Sequence, residues 1–141
     1  MSDSRRAAAE ILRQIITDRV FYSECRPLLD SLSAEDRAFV NMLVLTSLRR
    51  LVFIRKILKT YIKKKIPAKF ALAEFALINA VSELLFMNTP DYAVLNSYVN
   101  LIKKLSDHFL AGMANAVLRK IAAAKTDLLP HTGEQIFPDG F

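Results

Sequence analysis

The pattern of apolar and polar positions changes character several times along the chain, and each change marks an element. From Lys69 to Met87 the run K-F-A-L-A-E-F-A-L-I-N-A-V-S-E-L-L-F-M is apolar on nearly every side and contains neither Gly nor Pro. A helix of that kind must be covered on all faces, so the run predicts a central buried helix with the rest of the chain wrapped around it. Its length is close to the roughly 17 residues that can cross a hydrocarbon core. Glu74, Asn79, Ser82 and Glu83 interrupt it, however, and each would need an internal partner in lipid. A core helix is therefore the better reading, and Asn88-Thr89-Pro90 ends it, because the residue before a proline is pushed out of the helical region.

The flanking segments are amphipathic. Ser4 is expected to cap a first helix to about Phe21, in which Ala8, Ile11, Leu12, Ile15, Ile16 and Val20 recur at helical spacing and Arg5, Arg6 and Arg13 lie off the stripe. Pro27 with Leu28-Leu29 predicts a turn and a short helix. Ser33 caps the next helix, with Asp36 placing a carboxylate among the free amides of its first turn. Phe39, Val40, Leu43, Val44 and Leu48 form its inner face, and a boundary is expected near Arg49-Arg50.

Over Leu51–Lys63 the apolar set Leu51, Ile54, Ile57, Leu58 and Tyr61 occupies one side of the helical wheel, and Arg55, Lys56, Lys59 and Lys63 the other. Two more helices are predicted, from Pro90-Asp91 to Asp107 and from about Phe109 to Lys125. Asn96 and Asn115 sit inside them. Asn is a middling helix former, so both are expected to be buried braces between helices. From Thr126 the periodicity stops, which divides the chain into a helical domain over 1–125 and a tail or linker over 126–141.

Composition agrees with an all-α fold. The 141 residues are 52% hydrophobic, with three glycines and five prolines, enough apolar material for one domain with a proper core. The formal net charge of +6 points to an anionic partner. That charge is concentrated: no acidic residue lies between Asp36 and Glu74, whereas Arg37, Arg49, Arg50, Arg55, Lys56, Lys59, Lys63, Lys64, Lys65 and Lys69 do. A merely solubilising face mixes both signs. Contact with nucleic acid or an acidic partner is the favoured reading, and a plain solvated face the alternative.

Catalytic chemistry is not legible. The chain has no glycine-rich phosphate loop, and its single cysteine, Cys25, with only His108 and His131 as other soft ligands, gives no metal-ligand spacing. Cys25 reads as a small apolar filler. No cofactor is expected in this chain, no apolar leader opens it, and a reducing cytoplasm suits a lone thiol.

Several landmarks together resemble the NusB-like RNA-binding family. They are Arg5-x-x-Ala8-x-x-x-Leu12, Asp36-Arg37, Leu48-Arg49, Leu84-Leu85-Phe86-Met87, Pro90, Ala93-Val94-Leu95-Asn96, Val99 and Asn115-Ala116-Val117-Leu118-Arg119, spanning residues 5–122. The resemblance implies a bundle of six or seven helices around a buried central one, with RNA as partner. Arg119, the stretch Thr46-Ser47-Leu48-Arg49 and the linker-like tail look most like the N-terminal domain of the Sun, Fmu or RsmB proteins. Those are S-adenosylmethionine-dependent methyltransferases of cytosine in small-subunit ribosomal RNA, so the branch implies ribosomal RNA and a C-terminal methyltransferase domain as partners. It also implies that the helical domain is not itself the enzyme. The other branch, free-standing transcription antitermination factors, implies a ribosomal protein partner. Met113 stands where the family often has an aromatic that stacks on RNA, and Ser47 where the methyltransferase branch usually has glycine. The residues expected to contact RNA are Arg5, Arg6, Arg55, Lys56, Lys59, Lys63, Arg119 and Lys120.

Overall fold

The computed structural model describes residues 2–129. Six principal α-helices succeed one another: α1 (Ser2–Ile16), α2 (Ala34–Arg49), α3 (Leu51–Tyr61), α4 (Ala71–Phe86), α5 (Asp91–Leu105) and α6 (His108–Ala123). Short 3-10 helices occupy Tyr22–Leu28 and Ala68–Phe70, and there is no strand among the described residues.

The expected central helix is α4, which packs against each of the other five. From Phe75 to Leu85 every residue is buried, polar ones included. Burying this face contributes about 25 cal/mol per Å² of apolar surface removed from water, the main term holding such a bundle together. A second, smaller cluster joins α1 and α2 to the Tyr22–Leu28 turn through Ala8, Ile11, Cys25, Val40, Leu43 and Val44. Cys25 fills it as the sequence suggests, 1% exposed, and burial followed by the nearby Glu24 charge pushes its thiol pKa up, away from reactivity.

Local chemistry sets the boundaries. Ser33 Oγ accepts from Asp36 N at 3.1 Å and Asp107 Oδ1 from Leu110 N at 2.8 Å, capping α2 and α6. Arg50 leaves the helical region (φ −109°, ψ 14°), separating α2 from α3 where the pattern predicts a break, and its guanidinium lies 4.8 Å from the Phe86 ring centroid. Asn88-Thr89-Pro90 separates α4 from α5.

Four expectations are corrected. Helix α1 begins at Ser2, so Ser4 is buried inside it rather than capping it. It ends at Ile16 instead of running to Phe21, because the chain turns through Arg19 in the left-handed region (φ 58°) and Thr17, Asp18 and Val20 donate back to the carbonyls of Arg13 and Gln14. Neither asparagine is a buried brace: Asn96 is exposed, and Asn115 accepts from Arg119 Nε at 3.3 Å within its own helix. The buried amide is Asn79, fully covered in α4, where Ser47 Oγ donates to its Oδ1 at 2.6 Å and lies 2.7 Å from Ser82 Oγ. That bond gives the serine at 47 a packing role. Finally, a helical turn at 125–129 brings Leu128 and Leu129 onto the core, so helical packing continues past Thr126. The remainder of the expected tail, 130–141, lies outside the described residues. No described helix is long and apolar enough to cross a membrane.

Candidate nucleic-acid interface

Arg5 is not on the surface. It is 7% exposed, and its Nε and Nη2 donate to Glu83 Oε2 and Oε1 at 2.8 and 2.9 Å. Tyr98 OH donates to the same carboxylate, and so does Thr89 Oγ1 at 2.8 Å. The guanidinium is sandwiched by rings, its Cζ 5.1 Å from the Phe39 centroid and 5.5 Å from that of Tyr98. Burial alone would lower the Arg5 pKa, but the Glu83 hydrogen bonds and charge outweigh it and the net shift is upward. Burial, then the Glu83 charge and hydrogen bond, holds the Tyr98 hydroxyl well above its ordinary range. A charge spent inside the core cannot reach a phosphate, so Arg5 leaves the expected contact set. The sequence carried the signal: Arg5 stands three and seven residues before Ala8 and Leu12, on the apolar stripe itself, and the buried helix carries a glutamate needing a cation.

The remaining cations behave differently. Arg6, Arg55, Lys56, Lys59, Lys63, Arg119 and Lys120 are exposed, and no described carboxylate forms an ion pair with any of them. Arg13, by contrast, is neutralised by Glu10 and Asp18 at 3.2 and 3.4 Å.

The basic side of α3 continues into the connector Ile62-Lys63-Lys64-Lys65-Ile66-Pro67. Ile66 is buried and Ile62 half-buried, which pins the connector to the core while the three lysines between them stay exposed. Arg55, Lys59, Lys63, Lys64 and Lys65 line one hollow of about 430 Å³, with Glu74 as its acidic residue. Lys63 Nζ also donates to the Thr60 carbonyl at 2.9 Å, fixing it at the end of α3. Lys56 is exposed on the same helix beside Arg55 but does not line the hollow, nor do Arg6, Arg119 and Lys120.

On its other side the connector borders a second hollow of about 730 Å³, walled by Tyr61, Phe70, Phe109, Leu110, Gly112 and Met113. Phe109, in the first turn of α6, is 78% exposed although the helix buries Leu110, Ala111 and Ala114 just after it. At Gly112 an added Cβ would meet nothing within 4 Å, so that wall is open. Lys63, Lys64 and Lys65 thus stand on the ridge between a cationic trough and an aromatic-lined one. Fixed cations hold phosphates, and flat apolar walls receive unstacked bases. The sequence pattern revealed the cations of α3 but not the second wall, because Phe109 reaches the connector only through the packing of α6 and α3 around α4.

A profile described as the NusB family matches residues 2–123, and the chain belongs to that family. Its members are all-α bundles that generally bind RNA. No individual curated protein matches the chain.

Proposed function

We propose that this domain binds single-stranded RNA along the Lys63–Lys65 ridge, with phosphates held by Arg55, Lys59, Lys63, Lys64 and Lys65 and a base received against Phe109 and Met113. The observation that carries this reading is the sharing of one three-lysine connector by a cationic hollow and an aromatic hollow, with the lysines free of carboxylate partners among the described residues. Phosphate contacts supply affinity and salt dependence, and stacking supplies a sequence-tolerant grip. Titration of the chain with single-stranded RNA at increasing salt tests it.

Within the family, we place the domain as the non-catalytic N-terminal part of an S-adenosylmethionine-dependent methyltransferase of small-subunit ribosomal RNA cytosine. Arg119 at the end of Asn115-Ala116-Val117-Leu118 supports that branch. In this role the helical domain holds RNA for a separate catalytic domain, and the 141 residues alone transfer no methyl group. Methyl transfer by the isolated chain would refute this assignment. Tight capture of a ribosomal protein in a pull-down would point instead to the antitermination branch.

A further inference from the structure

Helix α5 carries an exposed polar stripe that neither the core nor the Lys63–Lys65 ridge uses. Asn96 and Asn100 are one turn apart on its outer side, both exposed, and neither amide has a hydrogen-bond partner among the described residues. Both line a third hollow, with Ser97, Lys103, Lys104 and His108. Tyr92, a further turn back on the same side, is 76% exposed. Two asparagines on the solvent side of α5 cost some helix propensity, and neither amide offsets it with a hydrogen bond inside the described protein.

The position of this hollow relates it to the Lys63–Lys65 ridge. Asp107 and His108 border both it and the aromatic hollow, and Lys63–Lys65 border both the aromatic hollow and the cationic one. The three hollows therefore adjoin in series, from α3, past the start of α6, to α5. Asp107 also lies along that series, exposed and with one carboxylate oxygen accepting from Leu110 N at the α6 cap, where the helix N-terminus offsets part of its charge. Beyond the aromatic wall, the series therefore offers a pair of unspent amides flanked by two lysines and an exposed ring.

We propose that Asn96 and Asn100 read the edges of unpaired RNA bases that have passed the Lys63–Lys65 ridge. This inference rests on the proposed RNA binding and deepens it. An amide presents one acceptor and a donor pair, the match for a base edge, and adenine N6 and N7 fit a single asparagine side chain. In single strands those edges are accessible. Lys103 and Lys104 hold the neighbouring phosphates, and Tyr92 offers a face on which a base stacks.

The test compares wild type with Asn96→Ala/Asn100→Ala on oligo-A and oligo-U of equal length across a salt series. The wild type is expected to prefer oligo-A. The variant is expected to lose about tenfold or more in affinity for oligo-A, to lose the preference, and to keep the slope of log K against log salt. Unchanged folding, read by circular dichroism, is expected because both sites are exposed. Equal affinity of variant and wild type for both homopolymers overturns the inference while leaving the ridge intact. A variant that loses affinity equally for both, with a flatter slope, also overturns it, because the stripe would then act through phosphates. Absence of salt-dependent RNA binding by the wild type overturns the ridge itself, and this inference with it.

Discussion

Arg5 and Glu83 are 78 residues apart in sequence and joined by two hydrogen bonds of 2.8 and 2.9 Å in the interior, tying α1 to α4. Removing one member of such a pair leaves an unmatched buried charge, which costs about 3–5 kcal/mol. Glu83→Gln is accordingly expected to lower stability by that amount in urea unfolding, a large part of the ~5–15 kcal/mol typical of a domain. Arg5→Met combined with Glu83→Gln should be less destabilised than Glu83→Gln alone, since the stranded cation is gone. An Arg5 variant that stays fully stable while losing RNA affinity would contradict its placement in the core.

Tyr98 gives this cluster a pH signature. Its folded pKa is raised, so the protonated hydroxyl is favoured by folding, and the contribution is complete below the unfolded tyrosine value near 10. As pH rises past that value the unfolded chain releases a proton that the folded one retains, and stability falls. Unfolding titrations between about pH 9 and 11, spanning that value, should show this decline in the wild type and a weaker one in Tyr98→Phe. Equal slopes would place the alkaline sensitivity elsewhere.

Gly112 separates stability from binding. It lies within α6 with open space where a Cβ would sit, so Gly112→Ala should gain about 0.5–1 kcal/mol from backbone entropy alone. Gly112→Leu should also fold, but its side chain would project into the aromatic hollow and weaken RNA binding. If Gly112→Leu binds RNA as well as Gly112→Ala does, no base enters there.

Cys25 should behave as packing. With the side chain buried and its pKa raised, it is expected to react with a thiol reagent in the native protein far more slowly than in urea. Fast native labelling would mean that the small cluster of α1, α2 and the Tyr22–Leu28 turn opens readily.

The central helix is legible in the sequence because a segment apolar on all sides has one physical solution, and Ser33 and Pro90 are legible because capping and proline geometry are local. Arg5 is misleading for the opposite reason. Its role depends on Glu83 and Tyr98, which reach it only through tertiary packing, and a pair of adjacent arginines looks alike whether one turns inward or both face water. Position relative to Ala8 and Leu12 is what distinguishes Arg5 from Arg6. The asparagines show the same limit: periodicity places Asn96 within a helix, but its exposure comes from how α5 is rotated against α4, and the buried amide is Asn79. The basic segment itself is plain. That its lysines border an aromatic wall requires α6 to be in place.

Salt dependence reads out the phosphate contacts of the Lys63–Lys65 ridge. For single-stranded RNA, log K should fall with log salt with a slope of roughly 0.7 per phosphate held. Replacing Lys59, Lys63, Lys64 and Lys65 together by Gln should flatten that slope by about two to three, on the order of 0.7 for each lost contact, with the unfolding midpoint little changed because all four are exposed and the Lys63 bond to the Thr60 carbonyl is a surface one. A quadruple variant that keeps both the wild-type slope and the wild-type affinity would show that the Lys63–Lys65 ridge does not hold RNA.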